Sequence, residues 1–66
     1  LIYYIKGRDG MKYKQFDVVV LKNENRATIL SIIDTKYNVE IVNKKGKRIE
    51  MKLITDEEID RLLFRK

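Results

Sequence analysis

The chain has no cysteine, no histidine and no proline, and only three glycines. Without thiols or imidazoles there is no disulfide framework, thiolate nucleophile, histidine-based acid–base catalyst or usual zinc ligand set. Stability must therefore come from packing. No window approaches the roughly 18 consecutive apolar residues that a membrane-spanning helix requires, so no membrane partner is expected. The apolar opening Leu1-Ile2-Tyr3-Tyr4-Ile5 lacks the basic start, longer apolar middle and small-residue cleavage site of a signal peptide. The missing cysteines fit a reducing interior, and cytoplasm is the expected compartment. No linker, internal repeat or low-complexity tract interrupts the 66 residues, which leave room for one domain with a core a few side chains deep.

Charge and alternation are what the chain does have. Fifteen basic residues against ten acidic ones give a net charge of +5, a mild attraction for polyanions. The charges are mostly interspersed along apolar runs, as on an ordinary solvated sheet face. Four runs alternate with a period of two: 16–21, 26–32, 37–42 and 48–53. Each reads as a strand with one buried face. The expected core sets are Phe16/Val18/Val20, Tyr37/Val39/Ile41 and Ile49/Met51/Leu53, with Asn38, Glu40, Arg48, Glu50 and Lys52 turned to water. Val19, Leu21 and either Ala27/Ile29 or Thr28/Leu30/Ile32 are left over. The first two strands are thus candidates for burial on both faces, as happens when a short sheet curls into a barrel.

Asn43-Lys44-Lys45-Gly46 has the chemistry of a type I turn closed by a left-handed glycine. Asn23-Glu24-Asn25 and Asp34-Thr35-Lys36 are shorter polar breaks. Residues 1–10 form an N-terminal extension with two readings. Leu1 to Lys6 pairs with Met11 to Phe16 across an Asp9-Gly10 turn, or the segment is an upstream start-site artefact before Met11. At the other end, Thr55-Asp56-Glu57-Glu58 spells a capping box, with Ile54 and Ile59 placed as a hydrophobic staple. Its acidic start and the basic Arg65-Lys66 end complement a helix dipole, and Ile59, Leu62 and Leu63 make an apolar stripe. These features predict a C-terminal α-helix over 55–66.

Phe16-Asp17-Val18-Val19-Val20-Leu21, Ala27-Thr28-Ile29-Leu30-Ser31-Ile32 and Tyr37 to Gly46 together resemble short bacterial SH3-like barrel domains of unknown function. Those domains tend to read "FDVV-L", a turn, "G-TIV", then "YEVEF-D-DG" and a last hydrophobic strand. The resemblance runs from about Lys14 to Ile59 and implies a fold and a bacterial source. The expected fold is mainly β: a small SH3-like barrel of four to five antiparallel strands at 11–66, with the C-terminal α-helix. The opening hairpin is also loosely similar to the KOW element of ribosomal and transcription-associated barrels, with Asp17-Val18-Val19 and Ala27-Thr28-Ile29 in corresponding places. That element has glycine just before its second strand. This chain has Asn25-Arg26, so no RNA-binding residue is carried over.

Carboxylates are the only catalytic raw material. Asp56, Glu57, Glu58 and Asp60 cluster where helix capping already accounts for them. Asp17, Asp34, Glu40 and Glu50 read as scattered along edges and turns, and no phosphate loop or serine-nucleophile pattern occurs. No enzymatic activity and no cofactor or metal are expected. The candidate binding surface is basic: Lys44, Lys45, Lys47 and Arg48 at the hairpin tip could reach phosphates or an acidic partner. Tyr13, flanked by Lys12 and Lys14, has two readings: a stacking ring for a nucleic acid, or, the favoured one, a ring that covers the barrel's edge. The leading expectation is a non-catalytic module that binds an unidentified protein, with nucleic-acid or ribosome binding through the tip as the alternative. A homodimer through an edge strand or Leu1 to Ile5 is a further option.

Overall fold

The computed structural model describes residues 11–65. The strands are β1 (Val18–Leu21), β2 (Arg26–Ile33), β3 (Lys36–Val42), β4 (Arg48–Ile54) and β5 (Ile59–Phe64), with a 3₁₀ turn at Asp56–Glu58 before the last. They form one antiparallel sheet in the order β4-β3-β2-β1-β5. The fold is mainly β as expected, but the sheet is not closed into a barrel. β4 and β5 stand at its two ends, joined through the 3₁₀ turn.

Polar turns make the hairpins. Between β1 and β2, the Asn23 side-chain oxygen accepts the Asn25 N–H at 3.0 Å while Glu24 takes a φ of +75°. Between β3 and β4, the Asn43 side chain accepts the Lys45 and Lys47 N–H groups at 2.9 and 3.1 Å. Gly46 closes that turn at φ +86°, a conformation other side chains rarely adopt. These are the turns that the Asn and Gly positions predict.

The core lies on one side of the sheet. Register aligns Val19 with Ala27, Ala27 with Ile41, and Ile29 with Val39. Tyr37, Leu21, Ile54, Ile59 and Tyr13 complete the buried cluster. Fully burying one such aliphatic side chain contributes about 1.5–3 kcal/mol. Tyr37, Val39 and Ile41 are buried as their phase predicts, and β2 contributes its Ala27/Ile29 set.

Two other core sets are corrected. In β1 the core-facing residues are Val19 and Leu21. Phe16 is half-exposed and sits at φ +71°, its N–H donating to the Ile29 carbonyl at 2.6 Å. Val18 pairs with Thr28 and Val20 with Arg26, on the opposite side. Val20 is nonetheless buried, so β1 is covered on both faces. In β4 the whole expected set is outside: Ile49, Met51 and Leu53 are 49, 53 and 47% exposed.

A β-bulge explains the inversion in β4. Val42 pairs with Arg48, but Ile41 then pairs with Glu50, leaving Ile49 as an extra residue. One inserted residue exchanges the two faces of everything beyond it. Continuing the Val42–Arg48 register unbulged would set Met51 against Val39 and also Glu40 against Glu50, two like charges directly opposed. With the bulge, Met51 faces Glu40 and Ile54 faces Tyr37, which buries Ile54 almost completely.

The C-terminal α-helix is replaced by the 3₁₀ turn and β5. The capping box is present, with the Glu58 carboxylate accepting the Thr55 N–H at 3.4 Å. After Glu58 the backbone becomes extended at Ile59, and β5 pairs along β1. A twelve-residue helix is marginal by itself. The alternative strand satisfies the open edge of β1 and buries Ile59 in the core. Residues 11–16 form bends and a turn rather than a strand. The pairing predicted for Leu1 to Lys6, the start-site reading of residues 1–10, the Leu1 to Ile5 contact and Lys66 fall outside the described residues.

Candidate interaction site

Two polar networks fasten the segments around residues 13–17, 56 and 65 to the sheet. Asp17 lies in phase with Val19 and Leu21, and its carboxylate is buried. Arg65 grips it with two prongs, Nε donating to Oδ1 at 2.9 Å and Nη2 to Oδ2 at 2.7 Å. The Lys14 N–H donates to Oδ2 at 2.9 Å. The Arg65 hydrogen bond holds the Asp17 carboxyl below the usual carboxylate range, against the opposing effect of burial. By sequence alone Asp17 reads as one of several carboxylates scattered along edges and turns. Its inward phase with Val19 is the signal that identifies it.

The second network centres on Tyr37. Its hydroxyl donates to Asp56 Oδ1 at 2.5 Å and accepts the Tyr13 N–H at 3.3 Å. Burial, and then the Asp56 hydrogen bond, push the Tyr37 phenol upward, so it stays neutral at ordinary pH. The Tyr13 ring packs edge-on against Tyr37, centroids 5.8 Å apart. Tyr13 is therefore a buried core residue, which agrees with the covering-ring reading and leaves no free face for stacking. Lys12 and Lys14 flank it on the exposed side, with Lys12 Nζ 5.7 Å from the Tyr13 ring centre. Both networks are structural in geometry and satisfied in hydrogen bonding.

The hairpin tip brings Lys44, Lys45, Lys47 and Arg48 together on exposed backbone. Two of these cations are already partnered: Lys44 Nζ meets Glu24 at 2.9 Å and Arg48 meets Glu40 at 3.2 Å. Arg26 donates to the Lys44 carbonyl at 3.3 Å, tying the tip back onto β2. Beneath the tip, a cleft of about 650 Å³ carries Lys22, Arg26, Lys44 and Arg61 with Glu24 and Asp60 between them. Asp60 contacts Arg61 at 2.6 Å. The tip is basic but partly neutralised from within.

The β4 edge differs in kind. Ile49, Met51 and Leu53 lie half-exposed on an end strand. Its other face carries Glu50 and Lys52, which share a cleft of about 270 Å³ with Ile41, Glu57 and Glu58. Among the described residues, no group of three or more acidic, histidine or cysteine side chains could hold a metal ion, and no helix is long and apolar enough to cross a membrane. The chain matches no family model, no curated protein and no solved structure.

Proposed function

We propose that this chain is a small non-catalytic protein-interaction module of SH3-like type, acting in a bacterial cytoplasm and contacting its partner along β4. The observation that carries the reading is the half-exposed row Ile49, Met51 and Leu53 on a sheet end that pairs with no further strand among the described residues. An end strand offers unpaired N–H and C=O groups to an added strand, and alternate side chains supply selectivity. The antiparallel order with β5 returning beside β1 supports the SH3-like assignment. Nucleic-acid binding at the tip is the weaker reading, because Glu24 and Glu40 already occupy Lys44 and Arg48 and counterion release scales with the number of phosphates contacted.

The test is a photo-crosslinking residue placed at Leu53 in one sample and at Lys45 in another, each expressed in bacterial cells. Protein adducts from Leu53 and none from Lys45 support the reading. RNA adducts from Lys45 with no protein adduct from Leu53 overturn it.

A further inference from the structure

We infer that the partner of β4 is a second copy of this chain, added antiparallel about a two-fold axis at Met51. The inference rests on β4 being the contact edge. It is carried by the order of charges along that edge.

Glu50 and Lys52 flank Met51 on the core-facing side of the sheet, as their pairing with Ile41 and Val39 shows. Charges turned inward on an end strand ordinarily protect it, because an incoming apolar strand would have to bury them unpaired. A second β4 removes that penalty. With the axis at Met51, Glu50 stands opposite Lys52 of the copy and Lys52 opposite its Glu50, giving two symmetric opposite-charge pairs. On the other face Ile49 stands opposite Leu53, and Met51 meets its own copy. Each is a favourable cross-strand pair.

The same charges fix the register. An axis at Glu50 would oppose two carboxylates, and one at Lys52 two ammonium groups. An axis at Ile49 would set Arg48 against Glu50, but the bulge interrupts the strand there and Arg48 already meets Glu40, so on the regular stretch from Glu50 to Ile54 the Met51 axis is the one that satisfies both charge and apolar pairing. It is isologous and therefore closes at two chains rather than growing into a filament.

The opposite end of the sheet is less suited to pairing. β5 carries two register irregularities against β1, and such kinks blunt an end strand. From Glu50 to Ile54, β4 is regular. One strand pair buries less than the roughly 1,600 Å² of a standard interface, so the dimer forms in a concentration-dependent way.

The experiment is sedimentation equilibrium of the full chain over a concentration series, with Glu50→Lys, Lys52→Glu and the double exchange. Each single reversal turns two attractive pairs into repulsive ones and should weaken the dimer about tenfold or more. The double exchange should restore it. Both side chains are exposed, so the folded monomer should persist in all three, as circular dichroism will report. A second arm uses Met51→Cys, the only thiol in that variant. Mild oxidation should give a covalent dimer, whereas Lys36→Cys should not. A chain that stays monomeric throughout, or a double exchange no better than the singles, overturns the dimer. If the chain is monomeric and Leu53 crosslinks to a different protein, the dimer fails while β4 remains the contact edge. A monomer with no protein adduct at Leu53 removes both.

Discussion

β3 and β4 are hydrogen-bonded neighbours, each seven residues long and each alternating apolar with polar residues. In β3 the apolar set is sealed in the core, with Val39 fully buried. In β4 it faces water at about half exposure, and only Ile54 turns inward completely. Alternation dictates that a strand has two chemically distinct faces. Which face is covered depends on register and on position in the sheet, and one bulge at Ile49 separates the two strands' outcomes. The penalty avoided is Glu40 against Glu50. The Arg48–Glu40 contact takes its place.

Substitutions can break the comparison from the β3 side first. Val39→Asp places a charge with no partner in the core and should cost more than about 4 kcal/mol, enough to unfold so small a domain. Loss of the cooperative melt in circular dichroism is the expected readout.

The clasp that returns β5 to β1 comes next. Arg65→Ala leaves the buried Asp17 carboxylate with the Lys14 N–H but without its cation, so the melting temperature should drop. Asp17→Asn should lower it less, because the amide oxygen can keep the Lys14 bond and the exposed guanidinium is hydrated. The double variant should melt above Arg65→Ala alone. A double variant melting below both singles would show that the pair is not coupled in this way.

Tyr37→Phe tests how β3 keeps its cover. It removes the hydroxyl that Tyr13 N–H and Asp56 share and should cost about 2 kcal/mol by urea titration. An unchanged midpoint would detach the Tyr13 segment from the stability of the core.

The two buried titrating groups, Asp17 and Tyr37, set the pH limits. Asp17 has a lowered folded pKa, so its contribution is present above the unfolded value of about 3.9 and is lost as pH falls through the folded value. Tyr37 has a raised folded pKa, so its contribution is complete below the unfolded value of about 10 and is lost as pH rises through the folded one. Melting temperature against pH should therefore fall below about pH 4 and above about pH 10. Arg65→Ala should flatten the acid limb and Tyr37→Phe the alkaline limb.

Much of this architecture is legible in the sequence. Asn43 and Gly46 specify their hairpin through local bonds, and Tyr37, Val39 and Ile41 declare their phase through uninterrupted apolar–polar alternation within their own strand. What was not legible depends on non-local choices. The Thr55–Glu58 box formed, yet Ile59 to Phe64 paired with β1 because an open strand edge outweighs a short helix. The β4 phase was hidden because a bulge leaves no mark in the alternation itself. The one clue was the adjacent pair Leu53-Ile54, which lets the strand present an apolar side chain in either phase. At the tip, sequence proximity groups four cations, but the acids that neutralise two of them lie elsewhere in the chain, Glu24 in the β1–β2 turn and Glu40 on β3. The proposed contact edge is not legible as a site because alternation assigns its side chains to the core.

The central claim is the bulged register, and Met51→Asp beside Val39→Asp tests it most directly. Denaturant unfolding at a concentration low enough to hold the chain monomeric should leave Met51→Asp within about 0.5 kcal/mol of the unsubstituted protein while Val39→Asp is unfolded. If Met51→Asp unfolds as well, Met51 stands opposite Val39 in the core, the bulge is absent, and the β4 edge is not the surface described.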